Sequence, residues 1–158
     1  MAGADGEFSG RKDEGQKQCT LVNAIDQLFV SIGVKNDLVV LNFRLDHGAA
    51  GEMPAALESA RAAYSDRQST PGADSLAWAL YRKGMFEEAR AKSGEALMWG
   101  PQDPVLLFHC GMIANALGDR DRDGAIGYLR QVIKLNPQFS VVNWSIANSI
   151  PKALEVGR

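Results

Sequence analysis

With 158 residues, 46% of them hydrophobic, the chain is sized for one domain whose core buries roughly two-thirds of the unfolded surface. A formal net charge of −2 argues against a nucleic-acid or anionic-membrane partner. No run of ~18 apolar residues is present to span a bilayer, and the opening MAGADGEFSGRKDEGQ has no apolar signal core.

Residues 1–16 are Gly-rich, charged and aperiodic, and are expected to form a disordered tail or an expression remnant. From Gln18 the pattern changes: Leu21, Val22, Ile25, Leu28, Phe29 and Ile32 follow helical spacing, and Gly33 supplies a stop. Asp37 can cap a helix carrying Val40, Leu41, Phe43 and Leu45, which HGAAGEMP interrupts. Ala55–Asp66 resumes with Ala56, Leu57, Ala60, Ala63 and Tyr64. Pro71 opens the next helix, which runs through Lys83 to Gly84; Glu87–Trp99 follows, closed by GPQDP. Pro104–Leu117 precedes an Asp-rich turn, Gly124–Leu135 precedes Asn136-Pro137, and a last segment starts at Phe139. LVVLNF is the longest stretch that could pass for a strand, but it falls where the pairing of elements expects a helix. The fold class is therefore all-α.

The two cysteines, Cys19 and Cys110, lie far apart in apolar-patterned segments and read as buried free thiols. That usage fits a reducing compartment such as the cytoplasm. His47 and His109 are the only histidines. His109 beside Cys110 raises the question of a nucleophile pair, but neighbours on a helix point about 100° apart, which disfavours a direct hydrogen bond. No phosphate-cradling Gly loop, CxxC, H-E-x-x-H or G-x-S-x-G is present, so neither catalysis nor a cofactor is expected.

The stretch GDRDRDGAIGYLR raises calcium. Asp119, Asp121 and Asp123 alternate and Gly124 follows, as in the opening of an EF-hand loop. That loop needs a bidentate Glu at its twelfth place, which here is Arg130; Arg120 and Arg122 add further positive charge. The better reading is a solvated turn with Asp123 capping the helix that follows. The charge-rich stretches Glu87–Arg90 and Arg120–Asp123 read alike as solvated turns.

Aligning the turns exposes a repeat. Gly51, Gly84 and Gly118 are spaced by 33 and 34 residues, and each leads to a small residue, Ala56, Ala89 or Ala125. Seven residues later stand Ala63, Ala96 and Val132, with Pro101 and Pro137 five residues beyond the last two. Leu76, Gly84, Ala89, Ala96 and Pro101 in one unit, and Gly111, Gly118, Ala125 and Pro137 in the next, give a pattern that resembles the tetratricopeptide repeat. Ala73 and Leu107 stand where that pattern has Trp, Ser93 where it has Phe, and the first unit lacks the closing Pro.

The resemblance implies a right-handed α-solenoid of about three helix–turn–helix units, over 37–69, 70–103 and 104–139. They would lie in a single domain spanning 17–155, with end helices over 18–32 and 139–148 capping the stack. It also implies a groove, lined by the first helix of each unit, that holds a peptide or partner protein. On helical spacing the candidate partner-binding residues are Asp74, Trp78, Tyr81 and Arg82, then Phe108, Met112 and Asn115, then Trp144 and Asn148. Trp78, Phe108 and Trp144 suit inter-repeat core equally well. Asp74 and Phe108 stand where family members that hold chaperone carboxylates have basic and amide residues, so that ligand is not expected. Trp99 before Gly-Pro reads as a packing anchor, and an uncovered apolar end of the stack would allow a homodimer.

Overall fold

The computed structural model describes residues 38–99, 103–140 and 143–156, together with Thr20, Leu21, Ala24, Ile25, Gln27, Leu28 and Ser31. The amino-terminal tail, Cys19, Asp37, Pro101 and the side chain of Trp99 lie outside the described residues. The described part is all-helical, without a strand. Its helices are α1 (Leu38–His47), α2 (Met53–Asp66), α3 (Thr70–Arg82), α4 (Phe86–Trp99), α5 (Pro104–Ala116), α6 (Arg122–Leu135) and α7 (Asn143–Val156). LVVLNF is part of α1. Among the described residues no helix is long and apolar enough to cross a membrane.

Local chemistry sets most of the boundaries. Ser69 Oγ accepts from Gly72 N at 3.3 Å to cap α3, and Asp103 Oδ1 accepts from Val105 N at 2.7 Å and Leu106 N at 3.3 Å to cap α5. Each cap satisfies amides that the first helical turn leaves without partners. A proline in the first turn of each helix, Pro71 and Pro104, sits where no amide is needed. At the other end of α3, Gly84 N donates to Tyr81 O at 2.9 Å and Met85 N to Leu80 O at 3.0 Å, the paired bonds of a Schellman stop. Gly84 takes φ 78° to make it, and Gly118 takes φ 64° after α5.

Gly51 departs from the pattern of its repeat partners. Among the described glycines positive φ occurs at Gly84 and Gly118, while Gly51 lies inside a 3-10 turn, Ala50–Glu52, that leads directly into α2. The close approach in this turn is at Gly48, where a Cβ would stand 2.4 Å from Arg44 O.

Two further expectations are corrected. Asp123 does not cap α6: the helix begins at Arg122, one residue earlier, with Asp121 at its N-cap and no side-chain capping bond there. The last helix starts at Asn143 rather than Phe139, because Asn136 Oδ1 accepts from Gln138 N at 2.9 Å and Asn136 O from Phe139 N at 3.2 Å, which holds 136–139 in a turn. It then runs through Pro151 to Val156. Pro151 forfeits one helical hydrogen bond, but its ring is buried beside Ala147, so packing offsets the loss.

The helices pack in chain order, and α1 also lies against α3, and α3 against α5. The core runs through Leu41, Leu45, Leu57, Leu76, Leu80, Leu107, Ile113, Leu129 and Val132. The small residues singled out by the repeat, Ala56, Ala63, Ala89, Ala96 and Ala125, are all buried, the last three completely. A side chain limited to one methyl lets neighbouring helix backbones approach, so their burial has a geometric cause. Several side-chain hydrogen bonds between elements span close to that period: Asn42 with Ser75, Asp46 with Trp78, Tyr64 with Glu95, Glu87 with Arg120, Arg90 with Asp121 and Arg122 with Leu154 are 31 to 33 residues apart, while those of Arg82 with Leu45 and Asp46 and of Asp74 with His109 span 35 to 37.

Among the described residues of the amino-terminal stretch, Leu21, Ile25 and Leu28 are helical and exposed, at 61%, 38% and 58%.

Candidate functional site: a cleft over Trp78

Four elements converge on one cleft of about 430 Å³. The end of α1 gives Asp46 and His47, α3 gives Trp78 and Arg82, α5 gives Phe108 and Met112, and the start of α7 gives Asn143 and Ile146, with Ser140 just before it. Within α3 and α5 the paired residues are four apart, so each pair lies on one face by helical geometry.

Trp78 is the centre of the floor and is buried, at 6% exposure. Its ring stacks on Tyr81 (centroids 4.7 Å, 8°) and on His109 (4.2 Å, 14°), and it meets Phe108 at a tilt 6.2 Å away. The indole Nε1 donates to Asp46 Oδ1 at 2.8 Å, which satisfies its only polar group. Phe108 is buried and packs on Phe139 at 5.5 Å. With Tyr81 and His109 stacked on the indole and the residue only 6% exposed, little of Trp78 is left for a ligand to meet.

Arg82 closes the α1 side. Its Nη1 donates to the carbonyls of Leu45 and Asp46, two groups that the end of α1 leaves without helical partners. A cation there also faces the negative end of the α1 dipole.

Beneath this floor is a buried polar contact. His109 Nδ1 lies 3.0 Å from Asp74 Oδ1 and 3.1 Å from Oδ2, with the residues 3% and 9% exposed. A carboxylate only accepts, so Nδ1 carries the donated proton. Next to Asp74, Ser75 Oγ donates to Asn42 Oδ1 at 2.7 Å. Polar bonds thus join α1 to α3 and α3 to α5 within the apolar seam.

The predicted site residues divide accordingly. Trp78, Arg82, Phe108 and Met112 come together at the cleft. Asp74 is held under it by His109. Tyr81 is half-buried behind Trp78 and against Phe86 at 5.8 Å, and burial raises its phenol above the ordinary value. Asn115 is half-buried on α5 and outside the cleft lining, and Trp144 is exposed and likewise outside it. Asn148 belongs elsewhere: with Arg130, Ile133 and Glu155 it lines a small cavity of about 160 Å³ between α6 and α7. Asp46, His47, Ser140, Asn143 and Ile146 were not picked out from the sequence. The repeat held a signal for Ile146, because Leu45, Trp78, Met112 and Ile146 recur every 33 or 34 residues.

The larger cavity, about 630 Å³ beside Tyr64, Ser69, Thr70, Glu95 and Met98, is less suited to recognition. Its two titratable groups pair with each other and with a neighbour: Tyr64 Oη donates to Glu95 Oε2 at 2.5 Å, and Lys92 Nζ donates to Glu95 Oε1 at 2.8 Å while lying 4.6 Å above the Tyr64 ring.

The aspartates of the 118–123 turn are used one by one. Asp121 Oδ2 accepts from Arg90 Nε at 2.5 Å, Asp119 Oδ1 accepts from Arg122 Nη1 at 3.4 Å, and Arg120 pairs with Glu87. Arg130, where a calcium loop has Glu, pairs with Glu155 at 2.5 Å. Among the described residues no three His, Cys, Asp or Glu side chains gather to hold a metal, Asp119, Asp121 and Asp123 included. Millimolar Ca²⁺ is therefore expected to leave the thermal midpoint unchanged, since a ligand binding only the folded state would raise it. A rise of several degrees would restore the calcium reading.

Cys110 is a buried free thiol. Burial, and after it the charge of Asp74, push its pKa up to about 12, so at neutral pH it is a packed apolar group and not a nucleophile. No protein-family model matches the chain, and no curated protein shows significant similarity to it.

Proposed function

We propose that the chain is a non-catalytic interaction module of the tetratricopeptide-repeat type. In this reading it is a solenoid of about three helix–turn–helix units that holds a peptide or partner-protein segment in the cleft over Trp78. The observation that carries it is the convergence of Asp46, Arg82, Met112, Asn143 and Ile146, from four elements, around a buried aromatic floor. An apolar floor with a few polar groups at its rim is the composition of a recognition site, and its volume suits one bulky side chain with its flanking backbone. Hydrogen bonds that recur at 31 to 33 residues support the solenoid reading.

The test is capture of a partner from lysate by the whole chain, compared with Ile146→Arg and Asn143→Ala. Ile146 is 37% exposed, so a longer charged side chain there fills the cleft mouth without entering the core. The wild type is expected to retain a partner that Ile146→Arg loses, with circular dichroism unchanged. Equal capture by both would remove the cleft from the reading.

Self-association is a second reading, favoured by the exposed Leu21, Ile25 and Leu28. Their spacings of four and three residues place them on one helical stripe. Light scattering is expected to give a dimer mass that Leu21→Glu with Leu28→Glu returns to the monomer. A monomer at all concentrations would dismiss it.

A further inference from the structure

We draw no further inference here: the strongest candidate, the cavity of about 630 Å³ beside Tyr64, Glu95 and Met98, carries nothing because its two titratable groups, Tyr64 and Glu95, bond to each other and, among the described residues, no unpartnered buried side chain points into it to define a ligand.

Discussion

Replacing Asp74 with Ala is expected to lower the free energy of unfolding by about 3 kcal/mol, a large share of the total for a domain of this size. The cost does not come mainly from the lost contact. It comes from leaving the Nδ1–H of His109 inside the protein with no acceptor, because water cannot reach a residue only 3% exposed. Asp74→Asn keeps an acceptor oxygen of the same shape opposite Nδ1 and is expected to cost about 1 kcal/mol, the difference between a charge-assisted and a neutral hydrogen bond. Glu58→Ala provides the surface comparison. Glu58 Oε1 meets Arg61 at 3.0 Å with side chains 72% and 46% exposed, and such pairs are worth about 0.5 kcal/mol or less. Urea unfolding at neutral pH ranks the three. If Asp74→Ala costs no more than Glu58→Ala, water enters the seam and the pair is not a buried one. Because His109 also stacks on Trp78, Asp74→Ala is further expected to shift the tryptophan emission of the folded protein.

The contrast between the buried Asp74–His109 hydrogen bond and the exposed Glu58–Arg61 ion pair explains how much of the molecule is legible in the sequence. The helices are, because period, caps and stops are local: Leu76 and Leu80 share a face by spacing, Pro104 opens α5, and Gly84 closes α3 with bonds reaching only a few residues back. The repeat extends that legibility to the buried positions Ala89, Ala96 and Ala125. The cleft is only half legible. Helical spacing groups Asp74, Trp78 and Arg82 on one side of α3, but it does not say which of them a neighbouring helix covers. His109, 35 residues away, claims Asp74, while Arg82 reaches back to the end of α1. Asn148 fails for a different reason: the face that α7 turns to α6 is settled by burial of Ala147 and Pro151, and a proline in the sequence suggests that the helix has already ended. Apart from Ile146, which the 33- to 34-residue recurrence of Leu45, Trp78 and Met112 marks, the remaining cleft residues are set by tertiary packing that no local pattern encodes.

At Gly111 a fully buried core side chain, Leu129, packs directly against the helix backbone, and a two-residue cycle there carries the second large effect. A Cβ at Gly111 would lie 2.6 Å from both Cγ and Cδ2 of Leu129, and 3.4 Å from its backbone nitrogen. Leu129 is completely buried, so its branch point has no free direction in which to move. Two effects oppose each other in Gly111→Ala. Helix propensity favours Ala over Gly by about 1 kcal/mol, whereas overpacking of this kind costs about 1 to 3 kcal/mol. With the contact falling on Cγ, and not on a flexible chain end, overpacking wins, and a net loss of about 1 to 2 kcal/mol is expected. Leu129→Ala removes a fully buried side chain and leaves a cavity between α5 and α6, for an expected loss of about 3 kcal/mol. In the double variant the new methyl at 111 occupies space that Leu129 vacated. The clash is gone and the gain in helix propensity remains, so the pair should be less destabilised than the sum of the singles by about 2 kcal/mol. Chemical denaturation of the four proteins measures that coupling directly. Strict additivity would mean that Gly111 and Leu129 do not touch, and that α5 and α6 cross at some other point.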